Sequence, residues 1–251
     1  MDADHFVPNT DDGDILLLDK PLTWTSFDVV KKIRAAGKFK KIGHAGTLDP
    51  LATGLLVCCT GKKTKTIDSI QGADKEYVAT FVLGATTASF DLESEVITTE
   101  PTPLAPALAQ VEQAIERLTG PQEQIPPIFS AVMVNGTRAY ELARKGKEVE
   151  LKAKPISIYT FELLAYDYPT LRARIVCSKG TYIRSLARDL GMDLGTGAYL
   201  SELRRTRIGN FTVEDSWPVA KLAQHLHGLR AQLAPPPPTA TDLQTIDGQV
   251  G

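Results

Sequence analysis

The sequence predicts an α+β fold, a mixed and largely antiparallel central sheet flanked by helices. Three observations carry that prediction. Hairpin signals stand beside helical stripes with no regular strand–helix–strand alternation. Residues 171–178 alternate apolar and polar side chains, as a half-buried strand does. Three stretches place apolar residues at helical spacing and are followed by Gly37, Gly120 and Gly191.

The elements follow in order. Residues 1–12 read as a flexible lead. Residues 14–20 (DILLLDK) have an apolar centre and end at Lys20-Pro21, a short buried strand. Residues 25–36 read as a helix. Thr25 and Asp28 have capping-box spacing, with Asp in place of Glu. Phe27, Val30 and Ile33 or Arg34 mark one face, and the lysines take the other. Residues 43–54 (GHAGTLDPLATG) hold three glycines and a proline and read as a loop. Strands are expected at 55–60 and 76–83. A helix at 105–118 aligns Leu108, Val111, Ile115 and Leu118.

Residues 125–155 differ in character. They open on Pro126-Pro127 and close on Lys154-Pro155. Asn135-Gly136 signals a hairpin turn, and 139–145 a short helix. The segment reads as an insertion projecting from the body, rich in Lys and Arg. A hairpin about Pro169 (156–168 and 171–178), a helix at 182–190 and a last helix at 219–233 complete a domain over 13–233. Residues 234–251 are a tail that starts with a proline run.

Composition bounds the function. The chain has 251 residues, 43% of them hydrophobic, enough for a core that needs no disulfide or metal staple. Its three cysteines include an adjacent pair, Cys58 and Cys59, which suits neither a zinc knuckle nor a C-x-x-C redox motif. Sparse cysteines fit a reducing compartment. The acidic N-terminus has no basic-then-apolar signal region, and no apolar run reaches membrane-spanning length. A cytoplasmic protein without membrane attachment is expected. The net charge of −2 argues weakly against a nucleic-acid partner, but the charge is segregated. Basic residues cluster at Lys31, Lys32, Arg34, Lys38, Lys40 and Lys41, then at Lys62, Lys63 and Lys65. Further clusters lie at Arg138, Arg144, Lys145 and Lys147, and at Arg204, Arg205 and Arg207. Such a pattern either builds a basic face on a neutral protein or leaves each cluster solvated on its own. GKKT at 61–64 lacks the spacing and the Ser or Thr of a phosphate-binding loop.

Asp49 stands on the Gly- and Pro-rich loop, where a carboxylate is well held for chemistry. Asp-Pro is also a common turn opener, and on local grounds that reading comes first. The wider string adds more. GHAGTLDPLATG, with LLLDKP at 16–21, KEYVATFVLGATTASFD at 75–91, SKGTYIRSLARDLG at 178–191 and GTGAYLSELRRTRIGNF at 195–211, resembles the TruB-type tRNA pseudouridine synthases. The resemblance runs from about residue 14 to about residue 233.

That resemblance implies a pseudouridine synthase fold and isomerisation of the T-loop uridine of tRNA. Asp49 is implied as the attacking carboxylate, at ribose C1′ or at uracil C6. Tyr77 is implied to stack on the flipped uracil and to take a proton, and Arg184 to pair with the aspartate. Tyr182 and Leu203 are implied at the uracil pocket. His44 is implied to enter the T-loop beside the extruded base. Lys20 and Lys65 are implied around the cleft and RNA backbone. Arg138, Arg144, Lys145 and Lys147 are expected to contact phosphates from the insertion. The reaction is a redox-neutral rearrangement within one nucleotide, so no cofactor and no metal is expected. A monomer is expected, with no obligate protein partner. Many relatives carry a C-terminal PUA domain, and none is expected here. Guide-RNA-dependent relatives share the catalytic loop, but the insertion argues against that group. A tRNA-folding role would use the same base flipping.

Overall fold

The leucines of residues 14–20 are apolar without alternation because both faces of their strand are covered. In the computed structural model, which describes residues 6–101, 103–130, 132–134, 136–144 and 151–233, that strand is β1 (Ile15–Lys20). Leu16 and Leu18 join one core cluster and Leu17 another. Helix α1 (Ser26–Gly37) begins at the expected capping box: Asp28 N–H donates to Thr25 Oγ1 at 3.1 Å, and Thr25 N–H to Asp28 Oδ2 at 2.9 Å. Its buried stripe is Val29, Val30, Ile33 and Ala36. Phe27, expected on that stripe, is exposed instead.

Strands β2 (Ile42–His44) and β3 (Ala52–Thr60) then pair antiparallel. The expected loop over 43–54 therefore shrinks to 45–51. Its glycines serve the strand as well as the turn. Gly54 lies in β3 at φ +100°, where any side chain would run into the backbone of Arg205. A 3-10 turn (Gly61–Thr66) and helix α2 (Ile67–Gly72) follow. Next come β4 (Lys75–Leu83), which alternates buried and half-buried residues throughout, and the small pair β5 (Ala85–Thr86) and β6 (Ile97–Thr98).

Helix α3 (Leu108–Arg117) buries Val111, Ala114 and Ile115 but leaves Leu108 exposed. Edge strand β7 (Gly120–Gln124) carries Pro121, a residue that edges tolerate. The insertion contains the hairpin of β8 (Met133–Val134) and β9 (Thr137–Arg138), as Asn135-Gly136 signals, and then α4 (Ala139–Arg144). Strands β10 (Lys154–Asp167) and β11 (Thr170–Cys177) form the expected hairpin. Helix α5 (Ile183–Asp193) runs past Gly191, which was expected to cap it. There the glycine lets the backbone at Gly197 and Ala198 pass close.

Strand β12 (Ala198–Ile208) is central, yet nothing in its pattern announces a strand. Two register shifts against β4, at Leu200/Glu202 and Arg205/Arg207, break its alternation. β13 (Phe211–Thr212), β14 (Trp217–Pro218) and α6 (Val219–Leu233) close the chain. One sheet results, in the order β14-β1-β3-β12-β4-β11-β10-β7, with β2 beside β3 and β13 beside β12. Among the strands of the described residues, β1–β14 and β12–β3 pair parallel and the others antiparallel. The fold is α+β, with a mixed and largely antiparallel sheet.

Helices α1 and α6 cover the β1–β3 end, while α3 and α5 cover the β4–β11–β10 part. Residues 6–12 are held rather than loose. Phe6 packs on Trp217 and His225, whose Nε2 lies 2.7 Å from the Phe6 carbonyl oxygen. Residues 234–251, expected as a tail, lie outside the described residues. Among the described residues, no helix is long and apolar enough to cross a membrane.

Candidate active site

The loop over 45–51 is fixed from four sides by polar contacts. Leu48 N–H donates to Ser26 Oγ at 2.9 Å, and that hydroxyl donates back to the Leu48 carbonyl at 3.2 Å. The Pro50 carbonyl accepts from Thr23 N–H at 2.9 Å and from Lys20 Nζ at 3.2 Å. The Asp49 carbonyl accepts from Ala52 N–H at 3.1 Å. The carbonyls of Gly46 and Thr47 accept from the two terminal nitrogens of Arg205, at 3.1 and 3.4 Å. With the backbone pinned, the Asp49 side chain remains 37% exposed. Little of it must reorganise during a reaction.

Arg184 meets that carboxylate from across the fold. It lies in the first turn of α5 with its side chain 6% exposed. Its Nε donates to Asp49 Oδ2 at 2.9 Å, with Asp91 Oδ2 at 3.5 Å on the same nitrogen. Its other nitrogens reach the carbonyls of Ser89 (3.3 Å) and Phe129 (2.9 Å). Asp91 is buried and takes the Ser89 hydroxyl at 2.6 Å and the Glu93 amide at 3.0 Å. One guanidinium thus joins an accessible carboxylate to an inaccessible one, in charge-assisted bonds. The cleft around the pair is lined by Leu51, Ala52, Leu200 and Leu203. Ser201 and Glu202 complete its lining, so polar and apolar side chains face the carboxylate together.

Tyr77 of β4 is buried, directly across the sheet from Arg205 of β12. Burial pushes its pKa up, and Arg205 pulls against that. Tyr182 is the N-cap of α5. Burial and then the negative charge of Asp49 raise its pKa. His44 closes β2, and among the described residues its buried Nδ1 finds no hydrogen-bond partner. Burial first, and the Arg205 cation after it, hold its pKa down, so the ring is neutral near pH 7.

Two basic expectations change. Lys20 is fully buried, and its ammonium donates to the carbonyls of Pro21 (3.0 Å), Trp24 (2.6 Å) and Pro50 (3.2 Å). All three protons are engaged, so it holds the loop and does not reach for an RNA phosphate. Burial lowers its pKa to about 8, although Asp49 favours the charge. The cluster at Arg204, Arg205 and Arg207 is not a basic face either. Arg204 pairs bidentately with Asp19 (3.0 and 2.8 Å), Arg205 is inside, and Arg207 caps the Gly209 carbonyl at 2.9 Å. Lys65 is exposed on the 3-10 turn, and the lysines after residue 30 are exposed along and beyond α1. Arg138 and Arg144 lie on β9 and α4 with side chains outside the description. Lys145 and Lys147 lie outside the described residues altogether.

Ser26, Asp91 and Arg205 escaped sequence reading. Asp91 is the last residue of the quoted 75–91 motif and Arg205 sits within the 195–211 motif, so the segments were marked while their roles were not. Among the described residues, no three His, Cys, Asp or Glu side chains gather as metal ligands would.

Known proteins place this geometry. The sequence profile of the TruB family pseudouridylate synthase (N terminal domain) matches residues 34–183, and that of the tRNA pseudouridylate synthase B C-terminal domain matches 184–235. A protein of Phocaeicola vulgatus named tRNA pseudouridine synthase B is 53% identical over 224 residues, covering 87% of this chain and 95% of its own. One of Parabacteroides distasonis with the same name is 55% identical over 208 residues, covering 80% and 88%. Among solved structures, a Cbf5-Nop10-Gar1 complex aligns with TM-score 0.69 and 27% identity, over 92% of this chain and 64% of that one. An H/ACA RNP bound to a substrate RNA containing 2′-deoxyuridine aligns with TM-score 0.67 and 26% identity, over 90% and 56%.

Proposed function

Since the chain belongs to the TruB family of pseudouridylate synthases, isomerases that convert uridine in tRNA to pseudouridine, we propose that its target is the T-loop uridine and that Asp49 is the attacking group. The observation that carries this reading is the pairing of Asp49 with a buried arginine at the mouth of a cleft. A carboxylate held at one angle, accessible on its other side, suits covalent attack.

The base must first leave its stack, at a cost of a few kcal/mol. His44 occupies the vacated place, where a neutral ring loses less solvation than a charged one. The base enters the cleft against Leu203 and Tyr182. Asp49 adds at ribose C1′ or at uracil C6, and the N1–C1′ bond breaks. The base then turns, a C5–C1′ bond forms, and the bond from Asp49 to C1′ or C6 breaks to free the carboxylate. Tyr77 stacks on the ring and takes the proton released from C5, while N1, freed of its bond to C1′, gains one. Atoms balance within one nucleotide, so the chain's own residues suffice for each step.

Binding rests on shape and phosphate contacts, as in RNA helices generally. Exposed Lys65 and the insertion residues Arg138, Arg144, Lys145 and Lys147 contribute those contacts, on a domain over 13–233 that acts as a monomer in the cytoplasm. The test is incubation with a T-arm stem-loop RNA and no additive, with pseudouridine located by chemical mapping. Wild type should modify the single T-loop uridine, and Asp49→Asn should bind the RNA without modifying it. Modification by Asp49→Asn at the wild-type rate would remove Asp49 from its role. Wild-type inactivity on both stem-loop and whole tRNA would redirect the target.

A further inference from the structure

We infer that Arg205 is a positioning residue that sets the catalytic loop and the Tyr77 hydroxyl as one unit. The inference rests on the reading of Asp49 and Tyr77 given above.

Four observations support it. Arg205 is the largest side chain buried this fully, at 1% exposure, and carries a charge that must be compensated. Its contacts divide the site in two. The terminal nitrogens hold the carbonyls of Gly46 and Thr47, three and two residues before Asp49, while Nε holds the Leu55 carbonyl on the strand that leaves the loop at 2.8 Å. The same residue stands directly across from Tyr77, its partner in β4, and its cation offsets the cost of burying the phenol. Finally, β12 is locked at this residue on both sides. Arg205 is in register with Gly54 of β3 and Tyr77 of β4, and Gly54 lets the backbones pass closely enough for the side chain to turn inward.

A planar fork is what this task needs. Its nitrogens keep fixed angles, so moving the loop carbonyls moves the Tyr77 partner as well. A lysine would keep the charge and lose the geometry. Lys20 shows the contrast, because its three contacts all go to backbone carbonyls near the loop and none reaches Tyr77.

Arg205→Lys and Tyr77→Phe should be made singly and together. Thermal melting gives the folded fraction, filter binding the T-arm RNA affinity, and single-turnover isomerisation the rate. The expected result is an affinity within about twofold of wild type and a rate about 100-fold lower in Arg205→Lys, the scale of an ångström of misplacement. The double variant should lose far less than the product of the single losses, because both changes break one unit. A wild-type rate in Arg205→Lys, a loss that merely follows the folded fraction, or multiplied losses in the double variant would overturn the inference. Should Arg205→Lys not fold, amide exchange decides. Removing the hydroxyl in Tyr77→Phe should speed exchange at Ala45 and Leu48, whose N–H groups are bonded to the Val57 carbonyl and to Ser26. Unchanged exchange would overturn it. A wild type that modifies no T-arm RNA speaks against the proposed function and is read separately, since the exchange experiment needs no turnover.

Discussion

Replacing Arg184 by Met keeps the length of the side chain and removes its charge, and the structure gives the cost. Four contacts disappear: Asp49, Asp91 and the carbonyls of Ser89 and Phe129. Asp49, at 37% exposure, recovers water. Asp91, at 7%, cannot, although it keeps the Ser89 hydroxyl and the Glu93 amide on Oδ1. Leaving one member of a buried ion pair alone costs about 3–5 kcal/mol. The two donors that remain on Asp91 place the expected loss near the middle, about 4 kcal/mol. Equilibrium unfolding in urea measures it. The reasoning also specifies a rescue. Arg184→Met combined with Asp91→Asn removes the stranded charge and should regain about half of the loss. A single variant within about 1 kcal/mol of wild type, or a double variant no more stable than the single, would refute this account of the buried pair.

Other consequences are equally open to measurement. Gly54→Ala should cost about 3 kcal/mol or more, combining a positive φ with a backbone clash at Arg205, and an unchanged urea midpoint would contradict the close approach. Lys20 should make stability depend on pH. Its folded pKa of about 8 lies below the ordinary 10.5, so the unfolded chain binds more protons between those values and stability rises with pH across that window, while below it the group adds no slope. Wild type measured against Lys20→Met should show that rise, and a flat or falling difference would count against the burial. Neutralising Arg138, Arg144, Lys145 and Lys147 together should weaken T-arm RNA binding and make its dependence on salt shallower. An unchanged slope would exclude them from phosphate contact.

Much of the architecture was readable where local and tertiary signals agree. The capping box at Thr25 starts α1, the leucines of β1 reveal a strand covered on both faces, and the Asn135-Gly136 signal stands between the two strands of the small hairpin, β8 and β9. β12 was not readable, because its two register shifts and its arginines erase the alternation that marks a strand. Phe27 shows the same limit on a helix: spacing put it on the inner stripe, while Val29 took that place and left the ring outside. Within the site, local sequence favoured Asp49 as a turn opener over a nucleophile. Its arginine lies 135 positions away, and only the long ordered motifs connected them. Arg205 is the instructive miss. In a run with Arg204 and Arg207 it reads as one more surface charge, yet neighbouring strand residues point to opposite faces, and this one points in.

The insertion is joined to the catalytic machinery by more than its chain ends. Gln124, just before it, exchanges two hydrogen bonds with the backbone of Tyr182, at 3.1 and 2.8 Å. Ser185 and Arg188 both hold the Ile125 carbonyl, and Arg184 holds that of Phe129. Residues 124–129 are therefore harnessed to the first two turns of the helix that carries Arg184. A pull on this segment loads the same guanidinium that steadies Asp49. The grip on RNA proposed for the insertion and the aim proposed for Asp49 would share one mechanical joint.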